Sequence, residues 1–115
     1  MKIVFTANSV ADNFWDTSVE ARFGRADYLV ILDEDTQEFE VIDNTENRNH
    51  EHGAGPKTSQ KIIDAGAKVI ITGNGPGGNA KVVLDKVGVK TYIDASGMSI
   101  KEAYEAYKNG NLKEF

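Results

Sequence analysis

The sequence predicts one α/β domain of three layers, α/β/α, around a five-stranded mixed sheet in which only the second strand runs antiparallel. Three observations predict it. Two short apolar runs, Ile3-Val4-Phe5 and Val69-Ile70-Ile71, lack polar alternation and so suit strands covered on both faces. Two β-rich runs flank a polar turn, Asp33-Glu34-Asp35-Thr36, of the length that joins antiparallel strands. Beyond residue 56, helical and strand patterns alternate, as in parallel right-handed crossover units.

Taken in order, Lys2 to Ala7 is a strand for the centre of the sheet. Asn8 to Ala26 has no periodicity and reads as a long loop with one helical turn, in which Phe14 and Trp15 anchor the chain on the core. Asp27 to Leu32 and Gln37 to Asp43 form a hairpin, and Glu38 and Glu40 alternating with Phe39 and Val41 suit an edge strand. Asn44 to Gly55, NTENRNHEHGAG, is loop chemistry. A helix follows, with Pro56 at its favoured first position, Ile62 and Ile63 facing inward and Gly66 just past its end. Lys68 to Thr72 is the fourth strand, and Gly73 to Gly78 is a glycine-rich turn. Ala80, Val83, Leu84 and Val87 mark one face of a second helix closed by Gly88. Val89 to Ile93 is the fifth strand, and Ser99 with Glu102 forms a capping box for a last helix ended by Gly110. With the hairpin beside the first strand, the sheet order becomes 3-2-1-4-5.

Composition narrows the chemistry. A chain of 115 residues is the size of one domain, here 1–115, able to bury a single core. Without Cys there are no disulfides, no Cys nucleophile and no thiolate metal ligands. Thirteen cations against eighteen anions, a net charge of −5, argue against nucleic acid as a partner, because phosphate binding needs a basic face. No stretch reaches the ~18 apolar residues of a membrane span, and the start lacks a signal-peptide pattern. The expectation is a soluble cytoplasmic protein with no nucleic-acid or membrane partner.

Strands one, three, four and five point the same way in this topology, so the loops leaving them share one edge, where ligands of such sheets settle. Helix N-termini there expose N–H groups with partial positive charge. Arg22-Phe23-Gly24-Arg25 brings two guanidiniums to the edge, either to bind an anion or to pair with Asp12, Asp16 or Glu20. The turn Gly73-Asn74-Gly75-Pro76-Gly77-Gly78 matches a dinucleotide fingerprint in its glycines but follows the fourth strand, and Asn79 and Ala80 replace the Lys and Ser or Thr of a phosphate loop. It reads as a tight turn whose amides face an anion. His50 and His52 lie two apart in the loop after strand three, solvated or holding a metal together. No serine elbow occurs, Ser96 and Ser99 beside Asp94 read as turn and cap chemistry, and no catalytic residue is expected.

The start MKIVFTA, the segment RFGRADYLVILDEDTQEFEVIDN, the pair Ala54-Gly55, the turn VIITGNGPGGNA and the closing KVGVKTYIDASGMSIKEAYEAYKNGNL together resemble the dinitrogenase iron–molybdenum cofactor biosynthesis family, small proteins similar to NifX and to the C-terminal part of NifB. The resemblance implies a ribonuclease H-like fold and a domain that binds or carries an anionic iron–sulfur or iron–molybdenum type cluster without catalysis, exchanging it with a donor or acceptor protein. By matching position, Arg22, Phe23, Gly24 and Arg25 correspond to the family's arginine–glycine motif and Gly73, Gly75 and Gly78 to its glycine turn, which implies cluster-binding roles for Arg22, Gly24, Arg25 and the turn; Asn74 and Gly77 join as members of that turn, and His50 and His52 as metal ligands rest on chemistry alone. Two other readings stand beside it: an enzyme or sensor acting on a phosphorylated metabolite at the same edge, and a module that pairs its edge strands with a partner.

Overall fold

The computed structural model describes residues 1–46 and 54–115. Strand β1 (Lys2–Ala7) is followed by a short 3-10 turn (Phe14–Asp16) and the hairpin of β2 (Tyr28–Asp33) and β3 (Glu38–Asp43). Then come α1 (Ala54–Asp64), β4 (Val69–Ile71), α2 (Gly78–Lys86), β5 (Lys90–Ile93), α3 (Ile100–Lys108) and β6 (Lys113–Glu114). The sheet order is β3-β2-β1-β4-β5-β6. β1 pairs antiparallel with β2 and parallel with β4, and β4 pairs parallel with β5. The expected order holds for the first five strands, so β1, β3, β4 and β5 do run in a common direction.

The expected five-stranded sheet is corrected to six. Lys113–Glu114 adds to the free edge of β5, placing Tyr92 opposite Glu114 and Ile93 opposite Lys113. Both residues of β6 are exposed. A two-residue polar ladder has too few positions to show a period of two, so its sequence carries no strand signal. Strand ends of β2 to β5 shift by a single residue, and α1 starts earlier than expected, at Ala54, which puts Pro56 inside the first turn, where the missing N–H is still unneeded.

The period-2 alternation of the strands builds two cores. Val4, Leu29, Ile31 and Ile70 face Ile62 of α1 and Ala80 and Leu84 of α2. Ile3, Phe5, Val30, Leu32 and Ile71 face Ile100 and Ala103 of α3, with Phe14 and Trp15 packed against them as anchors. Every residue from Ile3 to Ala7 is fully buried, as expected of a strand between helical layers. α1 ends in a Schellman motif: Gly66, at φ +80°, donates to the Ile63 carbonyl at 3.0 Å, and Ala67 to that of Ile62 at 3.3 Å. Gly88 and Gly110 end α2 and α3 in the same way.

α3 is fastened at both ends. Ser99 accepts from the Glu102 amide at 3.1 Å while the Glu102 carboxylate accepts from the Ser99 amide at 3.1 Å, which completes the capping box. These bonds hold the Glu102 carboxyl below its ordinary value of 4.5. Farther along, the Tyr104 hydroxyl donates to Glu34 at 2.7 Å, and Lys108 lies 3.3 Å from the same carboxylate, tying the helix to the hairpin turn. The hydrogen bond to Glu34 first, and burial second, push the Tyr104 phenol from 10.0 up to about 12.

Two outcomes follow. Ser99→Ala should lower stability by about 1 kcal/mol, seen as a shifted urea midpoint with unchanged slope, and should return the Glu102 carboxyl toward its ordinary range. Tyr104 keeps its proton more tightly folded than unfolded, so its contribution is intact below about pH 10 and declines as pH rises toward about 12. In Glu34→Gln, a phenolate absorbance titration should show Tyr104 ionising closer to 10.0, its ordinary value.

Candidate functional site

The C-terminal ends of β1 and β4, the central parallel pair, are where a crevice would open in a sheet of this kind. Here the chain's own backbone fills it. The buried hydroxyls of Thr6 and Thr72 lie 2.7 Å apart, and both reach the Glu20 carbonyl, at 2.9 Å and 3.3 Å. The Glu20 amide donates to Thr6 at 2.8 Å. The Gly73 and Asn74 amides donate to the carbonyls of Glu20 and Ala21 at 3.3 Å and 2.6 Å. On its other side the segment meets the loop before α3: Val19 donates to Met98 at 2.8 Å, Gly97 to Val19 at 3.1 Å, and Ile100 to Thr17 at 2.8 Å. Residues 17–21 are thus laced to the end of β1 and to two loops at once.

Gly73 is the contact point. A Cβ built there would stand 2.5 Å from the Ala21 Cα and 2.8 Å from the Ser96 Cβ, so any side chain would drive the segments apart. Its neighbour Asp94 sits at φ +71°, a left-handed conformation Asp tolerates better than most residues, and donates its amide to Gly73 at 2.9 Å. The expectation of a tight turn is met at Gly73 and Asn74, whose amides are both committed internally. What the turn offers a ligand therefore lies farther on. Gly75 admits the ring of Phe115, itself 5.6 Å from the Lys81 ammonium. Gly77 caps α2 but brings no side-chain acceptor, leaving the first amides of that helix without the partner that Ser99 gives α3.

α1 packs beside α2 through small residues, with a Cβ on Gly55 falling 3.2 Å from that of Ala80. The arginine loop rests against the same corner. Phe23 is buried in the core of this face, and the Thr58 hydroxyl of α1 donates to the Gly24 carbonyl at 3.1 Å. Asn44, fully buried, donates to the Ala26 carbonyl at 2.9 Å and to the Thr58 hydroxyl at 3.0 Å, pinning the loop and the end of β3 together. Arg22 stays exposed and donates from Nε to Glu20 at 2.9 Å. Of the three acids weighed as its partners, Glu20 is the one it pairs with, and Glu20 is steadied in turn by Asn8 at 2.7 Å. The terminal nitrogens of Arg22 are left to bind elsewhere. Gly24 and Arg25 are half-buried between Arg22 and the core.

The fold thus gathers Arg22, Gly24 and Arg25, the glycine turn and the N-termini of α1 and α2 on one edge. His50 and His52 lie outside the described residues. Among the described residues no group of three or more His, Asp or Glu is placed to hold a metal ion. Sequence reasoning missed the threonine pair. Its signal was there: Thr6 and Thr72 each interrupt an apolar run one step after its last large side chain.

An open mixed sheet with helices on both faces defines the class, and comparison with known proteins supplies the family. The chain belongs to the dinitrogenase iron–molybdenum cofactor family, whose model matches residues 2–110. Among solved structures, the apo form of the orange protein from Desulfovibrio gigas superposes with a TM-score of 0.89 at 31% identity, over 99% of this chain and 92% of that one. The NMR structure of a Thermotoga protein described as a candidate NifB protein gives 0.80 at 32% identity, over 98% and 91%. Comparison with curated proteins gives no match.

If Gly73 is there for close approach, Gly73→Ala should cost about 1–3 kcal/mol, measured as a fall in denaturant midpoint. Gly78→Ala, where nothing lies within 4 Å of the added atom, should stay within about 0.5 kcal/mol.

Proposed function

We propose that this protein is a non-catalytic carrier of an anionic iron–sulfur or iron–molybdenum type cluster, held as cargo at the edge formed by the arginine loop and the N-termini of α1 and α2. Membership of the iron–molybdenum cofactor family supports the cargo, as does likeness to the orange protein and to the candidate NifB protein. The observation that carries the choice of site is the N-terminus of α2. It lacks a side-chain cap, lies against α1 at Gly55 and Ala80, and follows the turn that is bonded to Glu20 and Ala21, just before the arginine loop.

Donor chemistry sets how the cargo is held. The chain has no Cys, so no thiolate of its own can ligate a metal. What the edge supplies is positive potential and N–H donors, which suit the sulfides and net negative charge of a preassembled cluster. The guanidiniums of Arg22 and Arg25 would balance its charge, the amides at Gly77, Gly78 and Asn79 would donate to its surface, and an imidazole of His50 or His52 would offer a metal ligand. Such a hold releases its cargo readily to a partner that has thiolates. The reading includes a ribonuclease H-like fold and a cytoplasmic setting with a donor or acceptor protein; no helix among the described residues is long and apolar enough to cross a membrane.

Anaerobic addition of a preformed iron–sulfur cluster should give a coloured species that co-elutes with the protein and weakens as salt rises. Arg22→Gln with Arg25→Gln should reduce affinity by about tenfold or more, the scale of lost charge-assisted hydrogen bonds. His50→Ala with His52→Ala should weaken it further, and unchanged binding in that variant removes the imidazoles from the site. Thermal stabilisation by sugar phosphates or nucleotides, with none from clusters, would instead assign the edge to a phosphorylated metabolite.

A further inference from the structure

The groove between the 3-10 turn and α3 takes no part in the edge described above. It encloses about 480 Å³ and is lined by Asn13, Trp15, Asp16, Lys101, Tyr104 and Glu105. Two of these are aromatic walls: the rings of Trp15 and Tyr104 lie 5.7 Å apart at 47°. Three are charged, exposed side chains, and among the described residues the side chains of Asp16, Lys101 and Glu105 make no hydrogen bond or ion pair. Lys101 and Glu105 are one turn apart on α3, the spacing of a helical ion pair, yet they do not close on each other.

Two carboxylates against one ammonium leave the groove with a surplus negative charge beside two π faces. A flat cation satisfies both. The guanidinium of arginine stacks on indole and phenol rings and presents a planar fork of donors to carboxylates, which the compact ammonium of lysine does not. Tyr104 already has one cation near its ring, the Lys108 ammonium at 5.8 Å from the centroid, held there by Glu34 at 3.3 Å. We propose that this groove docks an arginine side chain of a partner protein, stacked on Trp15 and paired with Asp16 and Glu105.

Position argues for a protein rather than a free metabolite. The groove is continuous with residues 17–21: Asp16 leads directly into that segment, and Ile100, the neighbour of Lys101, donates to the Thr17 carbonyl at 2.8 Å. The same segment bonds to Gly73 and Asn74. A protein with an arginine seated here touches the segment that runs on into the arginine loop, so on the carrier reading the partner is a donor or acceptor of that cargo. This identity rests on the carrier reading; the preference for guanidinium does not.

Trp15 is the only tryptophan, so its fluorescence reports the groove alone. Titration with N-acetyl-arginine amide should give a saturable change with half-saturation at about 1–10 mM, and the isosteric, uncharged N-acetyl-citrulline amide should give none. Asp16→Asn and Glu105→Gln should each weaken the response about two- to fivefold, while Lys101→Ala, which removes a like charge, should tighten it by a similar factor. All three positions are exposed, so these variants keep the fold. No saturable change up to about 50 mM, an equal response to the citrulline analogue, or weakening by Lys101→Ala would each overturn the proposal. The titration needs no cluster: failure of cluster loading with an intact arginine response counts against the carrier reading alone, and the reverse counts against the groove alone.

Discussion

The rest of the molecule depends on one backbone arrangement, the passage of residues 17–21 across the C-terminal ends of β1 and β4. It places a carbonyl, Glu20, over two hydroxyls that are fully buried, those of Thr6 and Thr72. Lifting the segment would leave the two hydroxyls only each other and the buried Gly73 amide no partner, at a cost of about 1–3 kcal/mol for each buried group left unpaired. Because the crevice between the central strands is filled from within, a ligand is displaced outward, toward the side walled by α1 and α2. The filling segment also carries the arginine loop at its far end, so the constraint that closes one site builds the wall of the next.

The hairpin turn with Asp33, Glu34 and Asp35 lies at the opposite end of the sheet from the arginine loop, because β2 runs against β1. At the arginine end the two faces differ. α3 is closed by its own capping box, whereas α2 begins at a glycine that caps nothing. The carrier reading therefore asks a chain of net charge −5 to favour an anion at one edge only.

Much of this was legible in residues. Unbroken apolar runs placed β1 and β4 at the centre, glycines marked the ends of all three helices, and Ser99 with Glu102 announced the last one. The convergence of Arg22, Gly24 and Arg25 with the turn from Gly73 to Gly78 followed from strand direction alone. Three things were hidden for physical reasons. β6 is too short and polar to carry a pattern. The role of Gly73 depends on Ala21, fifty-two positions away in the chain, and close approach between distant segments leaves no local mark. The groove beside Trp15 arises because a 3-10 turn happens to lie on α3, and its charged residues look like any solvated helix face when read in one dimension.

Cluster capture at the arginine edge would show directly in the amide spectrum. Backbone resonances of the isotopically labelled protein, followed as an iron–sulfur cluster is added without oxygen, should shift or broaden first at residues 22–25 and 77–80, with the hairpin turn 33–38 unaffected. Perturbation centred on the hairpin turn, or spread evenly over the surface, would contradict the account.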